Sequence, residues 1–258
     1  VATKKRSSTP KPTTPEKIQE TSPDKADALK AQADAAKQAA GNQPAIEGIA
    51  VLGSNPKTIM MAPFDDPKWV IYGCSSHNLA TLPPVDYEKN AFVKRPDPRS
   101  GQDPYLRYLQ GGRRPDGGAF RVDQWFEVHS PFCDETRPLS YVMDLATNPK
   151  HQVVWVRDPE AVQLIQSARL YPEKELTERF GPFFWTSSIA YMLAKALIDC
   201  EANGIKQVGI WGVMQAHENE YSYQRPGIQY WITRLNEAGI TVVCNEESKL
   251  FEPQKVKW

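Results

Sequence analysis

TSSIAYMLAKALIDCEANGIKQVGIWGV, residues 186–213, decides the fold. Within it Ile189, Met192, Leu193, Ala196, Leu197 and Cys200 recur at i, i+3, i+4, i+7, i+8 and i+11, the spacing of one face of an amphipathic helix. Thr186, Ser187 and Ser188 stand where a helix needs acceptors for its first free N–H groups, and Asn203-Gly204 stands where a helix stops. Gln207-Val208-Gly209-Ile210-Trp211-Gly212-Val213 follows at once, a short apolar run suited to a strand covered on both faces. The same order returns downstream. A helix is expected from about Pro226 to Ala238 with Ile228, Trp231, Ile232 and Leu235 on one face, then Gly239 as its stop and Ile240–Cys244 as a strand. Helix, glycine, strand, twice in succession, predicts right-handed crossovers onto a parallel sheet.

Upstream, four more runs read as strands: Ile49–Gly53, Trp69–Cys74, Val122–Val128 and Gln152–Val156. Residues 46–258 are therefore expected to form an α/β domain of Rossmann-like construction, a mostly parallel sheet of about six strands with flanking helices. The strands at Ile49–Leu52 and Gln152–Val156 are expected to be adjacent or nearly so. The Trp-bearing strands (Trp69, Trp125, Trp155, Trp211) read as core. No internal repeat is present.

Residues 1–45 have another character. Val1–Pro23 is rich in Lys, Thr, Ser and Pro, the composition of a disordered arm. Asp24–Ala40 carries good helix formers but only Leu29 as a large apolar residue, so a short Ala-rich helix there would be marginal alone. Residues 1–45 thus read as an extended or disordered arm that either links or orders against a partner. Val1 is small enough to follow a removed initiator methionine, and a native start is expected.

Residues 83–120 read as a Pro/Gly-rich basic insertion between the second and third strands. Lys89, Lys94, Arg95, Arg99, Arg107, Arg113, Arg114 and Arg121, at its end, outnumber the acids, while Tyr105, Leu106, Tyr108 and Leu109 give it apolar content. It is either a solvated excursion or a docking loop for a neighbouring subunit or an anionic partner.

Charge is balanced, 31 basic against 31 acidic side chains, which excludes a chain-wide nucleic-acid or membrane footprint. No apolar run approaches the ~18 residues of a membrane span, and the basic start lacks the apolar stretch of a secretory signal. The four cysteines, Cys74, Cys133, Cys200 and Cys244, are widely spaced without a CxxC, so no zinc site or disulfide framework is expected and no metal is assigned.

In open α/β sheets ligands bind outside the carboxyl ends of the strands, where strand order reverses. Three segments are expected to meet there: the Gly53-Ser54-Asn55-Pro56 turn, the Thr186-Ser187-Ser188 helix start, and Gly212–His217 leaving the fifth strand. A helix N-terminus beside a glycine turn can hold a phosphate or carboxylate; the plain alternative is that Thr186 or Ser187 is only an N-cap. His129, beside Glu127, and His217, beside Glu218 and Glu220, are the candidate general bases. Arg225 is a candidate phosphate partner, and Asp123 with Glu127 a candidate carboxylate pair. There is no GxGxxG and no GxxxxGK[ST], so no cofactor is specified.

Several motifs taken together carry a resemblance. They are Ala50–Pro56, Ala62–Pro67, Val122–His129, Phe184–Ser188, and Gly212-Val213 with Tyr221–Gly227. This set looks like a family of Rossmann-like proteins of tailed bacteriophages, and it covers most of residues 46–258. The layout also distantly resembles bacterial sialyltransferases and pterin pyrophosphokinase-like proteins, with their Gly-x-x-Pro-Ser turn, hydroxyl-capped helix and strand ending in Gly-x-Asp. That second resemblance implies binding of a nucleotide or nucleotide-sugar. The chain departs from it at Lys57, where a Ser often follows the Pro, and at Met214, where the acid would stand.

The leading expectation is a virion-associated structural or accessory protein, of capsid or tail, made in the host bacterial cytoplasm. It would work within an oligomer, with residues 1–45 and 83–120 docking to other virion proteins and no membrane contact. The alternative is a phage-encoded, glycosyltransferase-like transferase using a nucleotide-activated donor. His217 or His129 would be its base, and Gly53, Ser54, Asn55, Thr186, Ser187, Ser188 and Arg225 its phosphate site. The missing acid at Met214 weighs against turnover.

Overall fold

The computed structural model describes residues 44–53, 55–74, 114, 117–118, 120–129, 145–146, 152–213, 221–245 and 248–251. The elements within them belong to one compact unit, Ala45–Trp258. In chain order they are β1 (Gly48–Leu52), α1 (Pro56–Ile59), β2 (Trp69–Cys74), β3 (Gln124–Glu127), β4 (Val153–Val156), α2 (Pro159–Leu164) and β5 (Ala168–Leu170). There follow α3 (Glu173–Phe180), α4 (Ser188–Asn203), β6 (Gln207–Trp211), α5 (Tyr221–Glu237), β7 (Thr241–Cys244) and a 3-10 turn at Lys249–Phe251.

The seven strands form one sheet in the order β5-β4-β3-β2-β1-β6-β7, and every pairing is parallel. The fold is α/β and Rossmann-like, as the helix–glycine–strand pattern predicts. The strand beyond the six expected is β5, Ala168–Leu170, which has only three residues and leaves no readable pattern in the sequence. One expectation fails. The strand at Val153–Val156 is not beside β1, because β2 and β3 lie between them. The first five strands are laid down consecutively toward one edge, and the chain returns to β1's free side only with β6.

That reversal explains the layers. Successive β1 residues point to opposite faces. Ala50 and Leu52 join Ile59 of α1, Trp125, Val154 and Ala161 of α2 on one side. Ile49 and Val51 join Leu176 of α3, the α4 residues, and Ile228 and Trp231 of α5 on the other. Right-handed crossovers moving in opposite directions place their helices on opposite faces, so α1 and α2 cover one face and α3, α4 and α5 the other.

α4 is the central helix. Ser187 caps it by accepting from the Ala190 N–H at 3.3 Å, and Gly204, at φ +70°, ends it. All six residues of the predicted stripe are buried, together with Ala190, Tyr191, Ala194 and Lys195. The stripe is wider than its sequence pattern because α5 packs beside α4 over the same face. Lys195 is tolerated there because it pairs with Asp199, which also accepts from the buried Tyr72 hydroxyl, and because its ammonium lies 4.4 Å from the Trp155 ring centroid.

α5 begins at Tyr221, upstream of the expected Pro226, which sits inside the helix. Proline removes one N–H donor but does not forbid a helical turn before it, so the sequence rule placed the start too late. Two of the arginines counted toward a basic docking loop are engaged within the domain. Arg114 is buried against Asp65 and over the Phe64 ring at 5.5 Å. Arg121 donates to the Asp66 carbonyl at 3.0 Å and to the Trp69 carbonyl. The expectations for residues 1–43 and most of 83–120 concern positions outside the described residues. Cys74 and Cys200 are buried free thiols, and Cys244 is a half-buried one. No helix among the described residues is long and apolar enough to cross a membrane.

Candidate functional site at the carboxyl edge

Strand order reverses between β1 and β6, and what fills that point is backbone. The Gly53 N–H donates to the Trp211 carbonyl at 2.7 Å, and the Asn55 N–H to the Gly212 carbonyl at 2.7 Å. The Gly212 N–H donates to the buried Thr58 hydroxyl at 2.9 Å. A Cβ on Gly53 would stand 2.4 Å from the Gly212 carbonyl oxygen, and one on Gly212 would stand 2.4 Å from the Gly53 oxygen. Gly212 also has φ +73°, a conformation that side chains strain. Two glycines are therefore needed for the turns after β1 and β6 to touch.

The α4 start lies at the same end of the sheet as these turns, since α4 runs back to feed the amino end of parallel β6. Its hydroxyls are largely occupied by the fold. Thr186 Oγ1 donates to the Gln224 carbonyl at 2.8 Å, tying α4 to the first turn of α5. Gly227 permits that approach: a Cβ there would meet Thr186 Oγ1 at 2.1 Å. Ser187 is the N-cap, as the plain alternative has it. Ser188, half-buried at the first helical position, is the remaining hydroxyl of the three. Asn55 Oδ1 accepts from the Thr58 N–H at 3.4 Å and so caps α1. Arg225 is buried in α5, and its Nε donates to the Leu250 carbonyl at 3.0 Å, where Gln229 also donates. It pins the C-terminal 3-10 turn instead of facing outward from a helix start. Ser54 and His217 lie outside the described residues.

The candidate carboxylate pair is not a pair. Asp123 precedes β3 at its amino end, where it accepts from the Ile71 N–H at 2.8 Å and faces Arg121 Nε at 3.3 Å. Burial raises its carboxyl above the ordinary value. Glu127 is the last residue of β3, about 13 Å away at the ~3.3 Å rise of a strand residue.

Glu127 instead meets His129. The carboxylate is fully buried, and its Oε1 stands 2.6 Å from His129 Nδ1, with the ring about one-third exposed. An ionised carboxylate can only accept, so beside one a neutral imidazole would donate from Nδ1 and keep Nε2 as its acceptor. A base oriented by a buried acid is the arrangement general-base catalysis asks for.

Around this dyad stands a group of residues for which the sequence reading made no provision. Arg157, the first residue past β4, takes both oxygens of Glu173 at 2.7 and 2.9 Å. Its Nη1 reaches the Val128 carbonyl at 3.4 Å, and its guanidinium lies 5.3 Å from the Tyr191 ring centroid. The Tyr171 hydroxyl donates to the Tyr191 carbonyl at 2.8 Å. Burial pushes the Tyr171 phenol well above its ordinary range and the Tyr191 phenol up to about 12, the latter opposed by Arg157. Beside them an open groove of about 460 Å³ runs between Arg157, Leu170, Tyr171, Glu173 and Thr177. Position would have found Arg157: it leaves the carboxyl end of a strand, as Gly53 and Gly212 do. No group of three His, Cys, Asp or Glu side chains among the described residues is placed to hold a metal ion.

No family model matches the chain, and no curated protein does. Among solved structures, a crystal structure of a sialyltransferase in complex with CMP aligns over 76% of this chain and 81% of its own, at 12% identity and a TM-score of 0.38. A likeness that remote carries no argument about chemistry. The fold is shown by the strand order and the all-parallel register.

Proposed function

We propose that the carboxyl edge of this sheet binds a nucleotide-class anion and that the Glu127–His129 dyad moves a proton there, in transfer of a group from a nucleotide-activated donor. The observation that carries the reading is the 2.6 Å contact between His129 and a carboxylate with no exposed surface, at the carboxyl end of a parallel strand. Burying a carboxylate is costly unless it is paired, and an apolar residue at Glu127 would serve packing alone. In the proposed step His129 Nε2 takes the proton of an acceptor hydroxyl as that oxygen bonds to the transferred group. The bond from the group to the donor phosphate breaks, and the nucleotide leaves with the electron pair. Ser188 and the first N–H groups of α4 supply the attraction for the phosphate.

The test uses the full chain. Cytidine and uridine nucleotides are titrated calorimetrically, and hydrolysis of the matching sugar nucleotides is then followed. Binding with turnover that falls by a factor of about 10² to 10⁴ in His129→Ala is expected for loss of a general base. Absence of both binding and turnover contradicts the reading.

A second reading has its own support. Thr186, Ser187, Asn55 and Arg225 are engaged by the fold, which is what a site without turnover would look like. Such a site is compatible with a virion-associated bacteriophage protein, the reading implied by the phage resemblance of the sequence motifs, with residues 1–45 and 83–120 docking to other subunits. Mass spectrometry of purified particles, with and without residues 1–45, decides it: the full chain should co-purify and the truncated one should not.

A further inference from the structure

The geometry points to Arg157 as the positioning residue for the His129 imidazole, acting through the carbonyl of Val128. This rests on the reading of the carboxyl edge as a proton-transfer site. Val128 and His129 lie beyond β3, whose ladder with β4 ends at Glu127 and Val156. The pairing that fixes β3 therefore stops before the residue that carries the base. Arg157 lies just past the same register on the neighbouring strand, and its Nη1 reaches the Val128 carbonyl at 3.4 Å. A lone arginine contact of that length would be loose. This guanidinium is held from two other directions: Glu173, the first residue of α3, takes Nε and Nη2, and the Tyr191 ring from α4 lies against its face. The planar fork of arginine can do all three at once, and lysine cannot.

The Arg157–Glu173 pair is about one-third exposed on each side, so solvent screens part of its attraction and reaches the groups left behind when it is removed. Removing Arg157 is therefore expected to leave the fold in place and to change the His129 ring. The experiment is a long-range proton–nitrogen NMR correlation on the full chain with nitrogen-15 histidine. The chain has four histidines, so His129→Ala assigns the signal. In the wild type a single, sharp pair of His129 ring-nitrogen signals is expected, with Nδ1 held against Glu127. Arg157→Gln is expected to shift and broaden that signal with little change in melting temperature, and Arg157→Lys, which keeps one cationic donor, to restore it in part. His129 signals in Arg157→Gln that coincide with the wild type overturn the proposal. Should Arg157→Gln not fold, Glu173→Gln, which frees the guanidinium, is read by the same criterion. Nucleotide addition is a separate arm. If it moves no histidine signal, the ligand reading fails while the Arg157 result stands. If turnover is found and Arg157→Gln leaves both kcat and the His129 signal unchanged, the positioning role alone fails.

Discussion

Gly212 is where a single methyl group tells most about the molecule. Its φ of +73° and the Gly53 carbonyl 2.4 Å from a would-be Cβ act together. Gly212→Ala is expected to cost roughly 2 to 5 kcal/mol, combining backbone strain with steric overlap. Gly204 has nearly the same φ, +70°, but nothing within 4 Å of its would-be Cβ. Gly204→Ala should cost only about 1 kcal/mol, since the strain stands alone. Urea unfolding of the two variants measures both, and equal losses would mean that the close approach of the two turns is misread. Burial also pushes the Cys200 thiol up to about 12. Native-state alkylation near pH 8 should accordingly pass over Cys200 until denaturant is added.

Ser187 is the element-scale counterpart. It accepts from Ala190 at the head of α4, the central helix of the face it shares with α3 and α5, and Ser187→Ala should cost about 1 kcal/mol, read from the denaturation midpoint. The elements were legible where periodicity was long or turn chemistry explicit. The α4 stripe, its Ser187 cap and Gly204 stop, and the Gly239 stop before β7 could all be read from residues. β5 could not, because three residues make no period, and α5's start was displaced by a proline the helix absorbs. Strand neighbours could not be read either, because hydrophobic pattern marks a strand as buried but does not say beside which strand. For the site, the Gly53 turn and the α4 start were found by the rule for parallel sheets. The Glu127–His129 contact was visible only as two residues near each other in sequence. Arg157 was missed because its partners Glu173, Tyr191 and Val128 come from three different elements.

At the scale of the whole molecule, the described unit holds three phenols in low-dielectric surroundings. Burial raises Tyr72 and Tyr171 well above 10.0, and Tyr191 to about 12. In the unfolded chain they ionise near their ordinary value, so the stability of the neutral phenols is fully present below about pH 10. It is lost as the pH rises from about 10 toward 12. Stability should thus fall steeply over that window, and Tyr191→Phe should flatten the fall; a slope unchanged by that variant would mean Tyr191 titrates as in the unfolded chain. Residues 1–45 carry almost no large apolar side chains, so their deletion should leave the melting temperature of the isolated chain within a few degrees. A large drop would assign them to the domain's core.

The proposed function turns on whether the carboxyl edge is a ligand site, and amide chemical-shift mapping with a cytidine nucleotide on the full chain tests that most directly. The moving amides should cluster at the carboxyl ends of the strands, at Gly53, Asn55, His129, Arg157, Ser188 and Gly212. Shifts confined to the amino edge, at Asp123, Gln152, Lys206 and Ile240, or no shifts up to millimolar nucleotide, would contradict it.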